Sequence, residues 1–226
     1  MKMCNRLRIH LIVDEIYALS VYDVPDPHAV PFKSILEFDT NQYIDERYLH
    51  HLYGMSKDTA AGGMRLGCLY TRNQELMKAV QGVSQFHWSG SASEKIGICM
   101  LEDEGWMDAF LDLSRKRLQE RNLAARELLG KEGIGYLPGA NAGFFLWIDL
   151  RKWCGKVDRE EWSDPFAGED ELTKKLIAKK VFVTNGKFMS AEEPGWYRLI
   201  FSQDKRTVEE GIKRIVAVLK DTQSTA

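Results

Sequence analysis

The sequence lacks paired cysteines, a long apolar run and an excess of charge of either sign. Its four cysteines, Cys4, Cys68, Cys99 and Cys154, stand far apart, form no CxxC pair and have no histidines at ligand spacing. That argues against a disulfide framework or a metal site and leaves reduced, mostly buried thiols in a cytoplasmic protein as the expectation. The longest apolar stretches, such as "AGFFLWIDL" at 142–150, are too short to span a bilayer. With 31 Lys and Arg against 33 Asp and Glu, the net charge of -2 supplies no field for nucleic acid or an anionic membrane. The start, "MKMCNRLRIHLIVDEIY", is broken by arginines and followed at once by Asp14 and Glu15, so it does not read as a signal peptide.

What is present is ordinary for a folded protein. The 226 residues suffice for one large domain or two small ones. "CNRLRI" looks like the end of an amphipathic helix, and "HLIVDE" at 10–15 like a fully buried parallel strand ending in acids. The segment at 20–34 holds three prolines and two aspartates and reads as a loop. Strands are expected near 49–55 and 64–73, then a helix capped by Asn73. Apolar spacing predicts a long helix over 106–130, stopped at Gly130 and connecting two domains. "IGYLPGANAGFFLWIDLR" reads as two strands about a Pro-Gly turn, "EDELTKKLIAKK" as a helix, and "VFVTNG" and "GWYRLIFS" as strands. A last helix carries Thr207 and Glu210 as a capping box, before a frayed "DTQSTA" tail. The alternation predicts an α/β fold throughout.

Individually, the polar candidates are weak. Lys57, after a buried strand and among small residues, is either a desolvated amine or a solvated loop cation. Arg65 is an anion clamp or a surface charge. Asp14 at a strand end points to the crevice at a sheet's carboxyl edge or is a turn residue. Tyr17 is equally a core residue, Asn141 a turn residue, and Arg198 either faces solvent or meets a buried partner.

Their order is specific. "LIVDEIYA" at 11–18, "SKDTAAGGMRLG" at 56–67, "NAGFFLWIDLR" at 141–151 and "EPGWYRLIFS" at 193–202 together resemble the fold-type-I pyridoxal phosphate enzymes of the class I/II aminotransferase family. Within it the chain is most similar to the 1-aminocyclopropane-1-carboxylate synthase-like branch. The resemblance implies that Lys57 forms an imine with the cofactor aldehyde and moves protons. Asp14 would face the pyridine nitrogen, Tyr17 the phenolic oxygen, and Arg65, with Ser56, the phosphate. Arg198 would grip the substrate α-carboxylate, with Asn141 beside it. It further implies a homodimer acting on a small α-amino acid.

Two positions depart from the family pattern. Gly54 stands where a phosphate-binding serine is common, and Ala60 where a glycine is common, which is harmless unless the backbone needs a positive φ. Family members are also about twice as long. The expectation is therefore the C-terminal half of such a protein: residues 1–105 as part of a mostly parallel cofactor-binding domain, and 106–226 as the smaller C-terminal α/β domain. Half a sheet would be marginal alone, whereas the C-terminal domain could still fold. The expected activity is an aminotransferase or 1-aminocyclopropane-1-carboxylate synthase-like lyase. A carbon–sulfur β-lyase and an inactive truncated paralogue are the alternatives. A nucleotide-binding domain fits poorly, because "SKDTAAGG" lacks the GxxxxGK[ST] order.

Overall fold

A computed structural model describes residues 1–154 and 164–224. The chain divides into two compact units, one of Met1–Tyr22 and Val30–Lys116, the other of Asp23–Ala29 and Arg117–Ala226.

The first unit opens on helix α1, Lys2–Leu7, which ends at Arg8 in the left-handed conformation, φ 53. Strand β1, Leu11–Asp14, runs parallel to β2, Leu49–Gly54, with Asp14 opposite Leu52. Strand β3, Gly67–Thr71, returns antiparallel on β2. It does so without a crossover helix, the connection that antiparallel pairing allows. The sheet, in the order β1-β2-β3, is thus mixed, not mostly parallel. Nor is β1 fully buried: as an edge strand it alternates, and Ile12 is 60% exposed. Asn73 caps α2, Gln74–Ser84, by accepting the Leu76 N–H at 2.8 Å, as expected. Helix α3, Ser91–Glu102, was not foreseen.

Helix α4, Glu104–Lys131, contains the division between the units. It runs through Gly130 and stops one residue later, at Lys131. Gly133 takes φ +66, and the N–H groups of Gly133 and Ile134 bond back to Gly130 and Leu129. This six-residue cap closes the helix with a glycine that bears no Cβ penalty.

The second unit holds β4, Gly135–Tyr136; β5, Phe145–Asp149; α5, Ala167–Ala178; β6, Thr184–Asn185; β7, Trp196–Ile200; and α6, Lys205–Ser224. Its sheet, β4-β5-β7-β6, is antiparallel throughout, so strand–helix alternation there does not produce parallel pairing. "VFVTNG" contributes only the two residues of β6. Leu146 and Ile148 on β5, with Leu150 just beyond it, are fully buried, as are Tyr197 on β7 and Phe201 after it. Leu172 and Leu176 of α5 and Ile212, Ile215, Val218 and Leu219 of α6 pack into the same apolar core. Each such side chain contributes about 1.5–3 kcal/mol of burial. The cap of α6 is Asp204, which accepts the Thr207 N–H at 3.1 Å and its hydroxyl, not Thr207 itself. Helix persists to Ser224, into the expected tail, whose last two residues lie outside the described ones.

The cysteines are not buried as expected. Cys68 and Cys99 are exposed, and Cys4 and Cys154 half-buried. Cys68 sits on the open face of β3, and Cys99 on α3.

Candidate functional site

The first unit gathers five of the expected residues on the turns that follow two neighbouring parallel strands. Asp14 ends β1, and its carboxylate accepts the Ile16 N–H at 3.1 Å, which opens the turn carrying Tyr17. Ser56 and Lys57 lie just past the end of β2. Lys57 Nζ sits 6.0 Å from the centre of the Tyr17 ring, at the limit for attraction between a cation and an aromatic face. Lys57 is exposed rather than desolvated, Ser56 is half-buried, and Asp14 is exposed. Arg65, also exposed, has a left-handed backbone with φ 56 and spends one guanidinium N–H on the Gly62 carbonyl at 2.9 Å.

The two departures acquire structural causes. A Cβ on Gly54 would stand 3.0 Å from the Leu66 carbonyl oxygen and 3.2 Å from Gly67 Cα. Both contacts are backbone, so a serine here would need the chain entering β3 to give by a few tenths of an ångström. Ala60 does occupy a left-handed conformation, φ 54. The substitution is therefore not harmless: a Cβ there costs about 1 kcal/mol relative to glycine.

Two buried carboxylates that the motif reading passed over flank the Tyr17 turn. Glu15 accepts the Ile35 N–H at 2.7 Å, the Ser34 hydroxyl at 2.7 Å and His51 Nε2 at 3.1 Å. Burial alone would raise its pKa, but these bonds outweigh it and hold the carboxyl below the usual range. Asp58, only 3% exposed, accepts the Leu19 N–H at 2.9 Å, the Tyr53 hydroxyl at 3.1 Å and the Ser20 hydroxyl. Beside them, His50 is buried, with its Nε2 2.7 Å from His10 Nδ1 and its Nδ1 2.8 Å from the Thr71 hydroxyl. Desolvation, and then the neighbouring His10, lower its pKa.

The other two expected residues belong to the second unit. Arg198, half-buried on β7, lies opposite Trp147 of β5 and Thr184 of β6. One terminal nitrogen donates to the Thr184 hydroxyl at 3.3 Å, and the guanidinium lies 5.6 Å from the Phe145 ring centre. Its Nε is buried and has no acceptor among the described residues. A buried guanidinium N–H without an acceptor is a donor that a carboxylate would satisfy. Asn141 is half-buried in the segment between β4 and β5.

The sequence pattern of the aminotransferase class I and II family matches residues 1–215. The chain belongs to this family. It is 32% identical over 223 residues to 1-aminocyclopropane-1-carboxylate synthase-like protein 1 of Homo sapiens, covering 98% of this chain and 42% of that protein. It is 34% identical over 214 residues to 1-aminocyclopropane-1-carboxylate synthase 2 of Cucurbita pepo, covering 93% and 41%. The chain thus spans about two-fifths of the length of these relatives. Among solved structures, the aromatic aminotransferase of Pyrococcus horikoshii superposes with a TM-score of 0.79 at 18% identity, over 98% of this chain and 54% of that one. At that identity the likeness is one of fold, a mixed sheet in one unit and an antiparallel sheet in the other. Among the described residues, no helix of this class I/II aminotransferase family member is long and apolar enough to cross a membrane.

Proposed function

We propose that the chain is a pyridoxal phosphate-dependent enzyme, or the catalytic half of one, acting on an α-amino acid by transamination or by a 1-aminocyclopropane-1-carboxylate synthase-like elimination. The observation that carries this reading is the convergence of Asp14, Tyr17 and Lys57 at the carboxyl ends of β1 and β2, with Lys57 Nζ 6.0 Å from the Tyr17 ring. In open α/β sheets, ligands bind at that edge.

The residues present fit the group. Asp14, exposed at the end of β1, would hold a proton on a ring nitrogen. The Tyr17 hydroxyl would donate to an anionic ring oxygen. Arg65 keeps guanidinium donors beyond the one given to Gly62, and with Ser56 it would bind a phosphate. When bound, pyridoxal phosphate supplies an electron-withdrawing ring that takes up negative charge from the α-carbon. Lys57 is the group to hold the cofactor covalently and to carry a proton on its Nζ. The orphaned Nε of Arg198 fits a carboxylate oxygen, and bidentate binding would orient the amino acid. Asn141, in the same unit, is assigned to that carboxylate as well. In its full-length form such a protein would act as a homodimer.

Titration with pyridoxal phosphate tests the reading. A saturable visible absorption band that Lys57→Ala abolishes is the expected result. No band, or one that survives Lys57→Ala, would favour an inactive paralogue.

A further inference from the structure

We propose that Asp58 is the positioning residue for Lys57: its buried carboxylate fastens the Lys57 turn to the Tyr17 turn and so sets where the lysine can reach. The inference rests on the cofactor reading above, and deepens it.

Neighbouring residues here point opposite ways. Lys57 is exposed, while Asp58 is 3% exposed. Two of the three donors to Asp58 come from another segment, and the third from the strand that leads into its own turn. Leu19 and Ser20, 39 and 38 residues earlier, belong to the segment after β1, and Tyr53 lies on β2. The Ser20 N–H also bonds the Tyr17 carbonyl at 3.1 Å. A continuous chain of bonds therefore runs from Tyr17 through Ser20 to Asp58, and by one peptide bond to Lys57. The far side of the turn is fixed as well. The Thr59 hydroxyl donates to the Met55 carbonyl at 2.8 Å, the Ala61 N–H to the same carbonyl at 3.0 Å, and the Ala60 N–H to the Lys57 carbonyl at 3.1 Å. This network holds Ala60 in its left-handed conformation. A turn tied to its own strand alone would keep the fold. A turn tied to the Tyr17 segment also fixes the lysine relative to the groups assigned to the cofactor ring. Placement errors of about 1 Å in reacting groups cost about a hundredfold in rate.

The test uses the full chain, pyridoxal phosphate and borohydride. It reads by peptide mass the rate at which Lys57 becomes covalently labelled, with exposed Lys33 as internal reference. Asp58→Ala is expected to slow Lys57 labelling about tenfold or more relative to Lys33, and to speed amide exchange at Leu19 in the cofactor-free chain. Asp58→Asn is expected to stay within about threefold of the parent, because its amide oxygen keeps two donors and the Ser20 hydroxyl can turn to accept its N–H. Should Asp58→Ala not fold, Ser20→Ala decides, with an expected slowing of about threefold or more. Labelling at the parent rate in folded Asp58→Ala or Ser20→Ala, with Leu19 exchange accelerated, overturns the proposal: the clamp would then be purely structural. If the parent chain itself leaves Lys57 unlabelled, the proposal falls with the cofactor reading. A slow Leu19 amide in that chain would show that the clamp stands and the cofactor assignment failed.

Discussion

The two units fill their interiors in different proportions. The second buries mainly hydrocarbon: Leu146, Ile148, Leu150, Tyr197, Phe201, Ile215 and Leu219 have almost no exposed surface, beside a smaller polar set of Asn122, Arg126, Glu169 and Asn185. The first buries polar side chains as readily as apolar ones. Ile44 and Met55 share its interior with Glu15, Ser20, His50, His51, Asp58 and Thr59, while Ile12 is left 60% exposed. Hydrocarbon packing is non-directional and indifferent to pH. A buried network of carboxylates, hydroxyls and histidines fixes geometry, costs heavily wherever one partner is missing, and titrates. The unit that carries Lys57 is the one whose interior specifies orientation.

The sharpest way to break this contrast is truncation in the apolar core. Ile148→Ala is expected to cost about 2–5 kcal/mol, and Ile12→Ala under about 0.5 kcal/mol, read from amide exchange in β5 and β1 respectively. Equal costs would erase the distinction.

Next in size is the pH dependence of two buried carboxylates. Glu15 has a depressed pKa, so the stability it contributes is present above its unfolded value of 4.5 and lost as the pH falls through its folded value. Glu169, fully buried in the second unit, accepts the N–H groups of Lys187 at 2.8 Å and Gly195 at 2.6 Å, yet burial outweighs those bonds and pushes its pKa up. Its contribution is full below 4.5 and declines as the pH rises through the folded value. Glu15→Gln should therefore cost more near neutrality than in acid, and Glu169→Gln more in acid than near neutrality. Unfolding curves on both sides of pH 4.5 check the two signs. His50 adds to the first unit's acid sensitivity. Its lowered pKa means that stability falls as the pH drops below 6.5 towards the folded value.

The smallest effect refines the Lys57 turn. Ala60→Gly is expected to stabilise the first unit by about 1 kcal/mol by relieving the left-handed alanine, measured as a shift in denaturant midpoint. A loss of stability would mean that the turn does not hold Ala60 at φ 54.

Much of this was legible in the sequence, for reasons that differ by residue. The strands "FFLWIDL" and "WYRLIFS" alternate as a two-layer sheet requires, and Asn73 announces its helix. Helix α3 was missed because Ile96, Ile98 and Leu101 are all substantially exposed and draw no one-sided stripe. The edge position of β1 is invisible in "LIVD", since an apolar run says nothing about how many neighbours a strand has. The cap of α6 was misplaced by three residues because Asp204 and Thr207 are equally good cap types. Lys57, Asp14, Tyr17 and Arg65 stand out as candidates through their order along the chain. Asp58 does not, because the partners that give it meaning lie far back in the sequence and only the folded turn brings them together.

The account's central claim is that Lys57 is the cofactor lysine. Borohydride reduction of the chain saturated with pyridoxal phosphate, followed by peptide mass mapping, tests it most directly. The account expects one pyridoxyl group per chain, on the peptide containing Lys57. Labelling spread over surface lysines, or none at all, would contradict it.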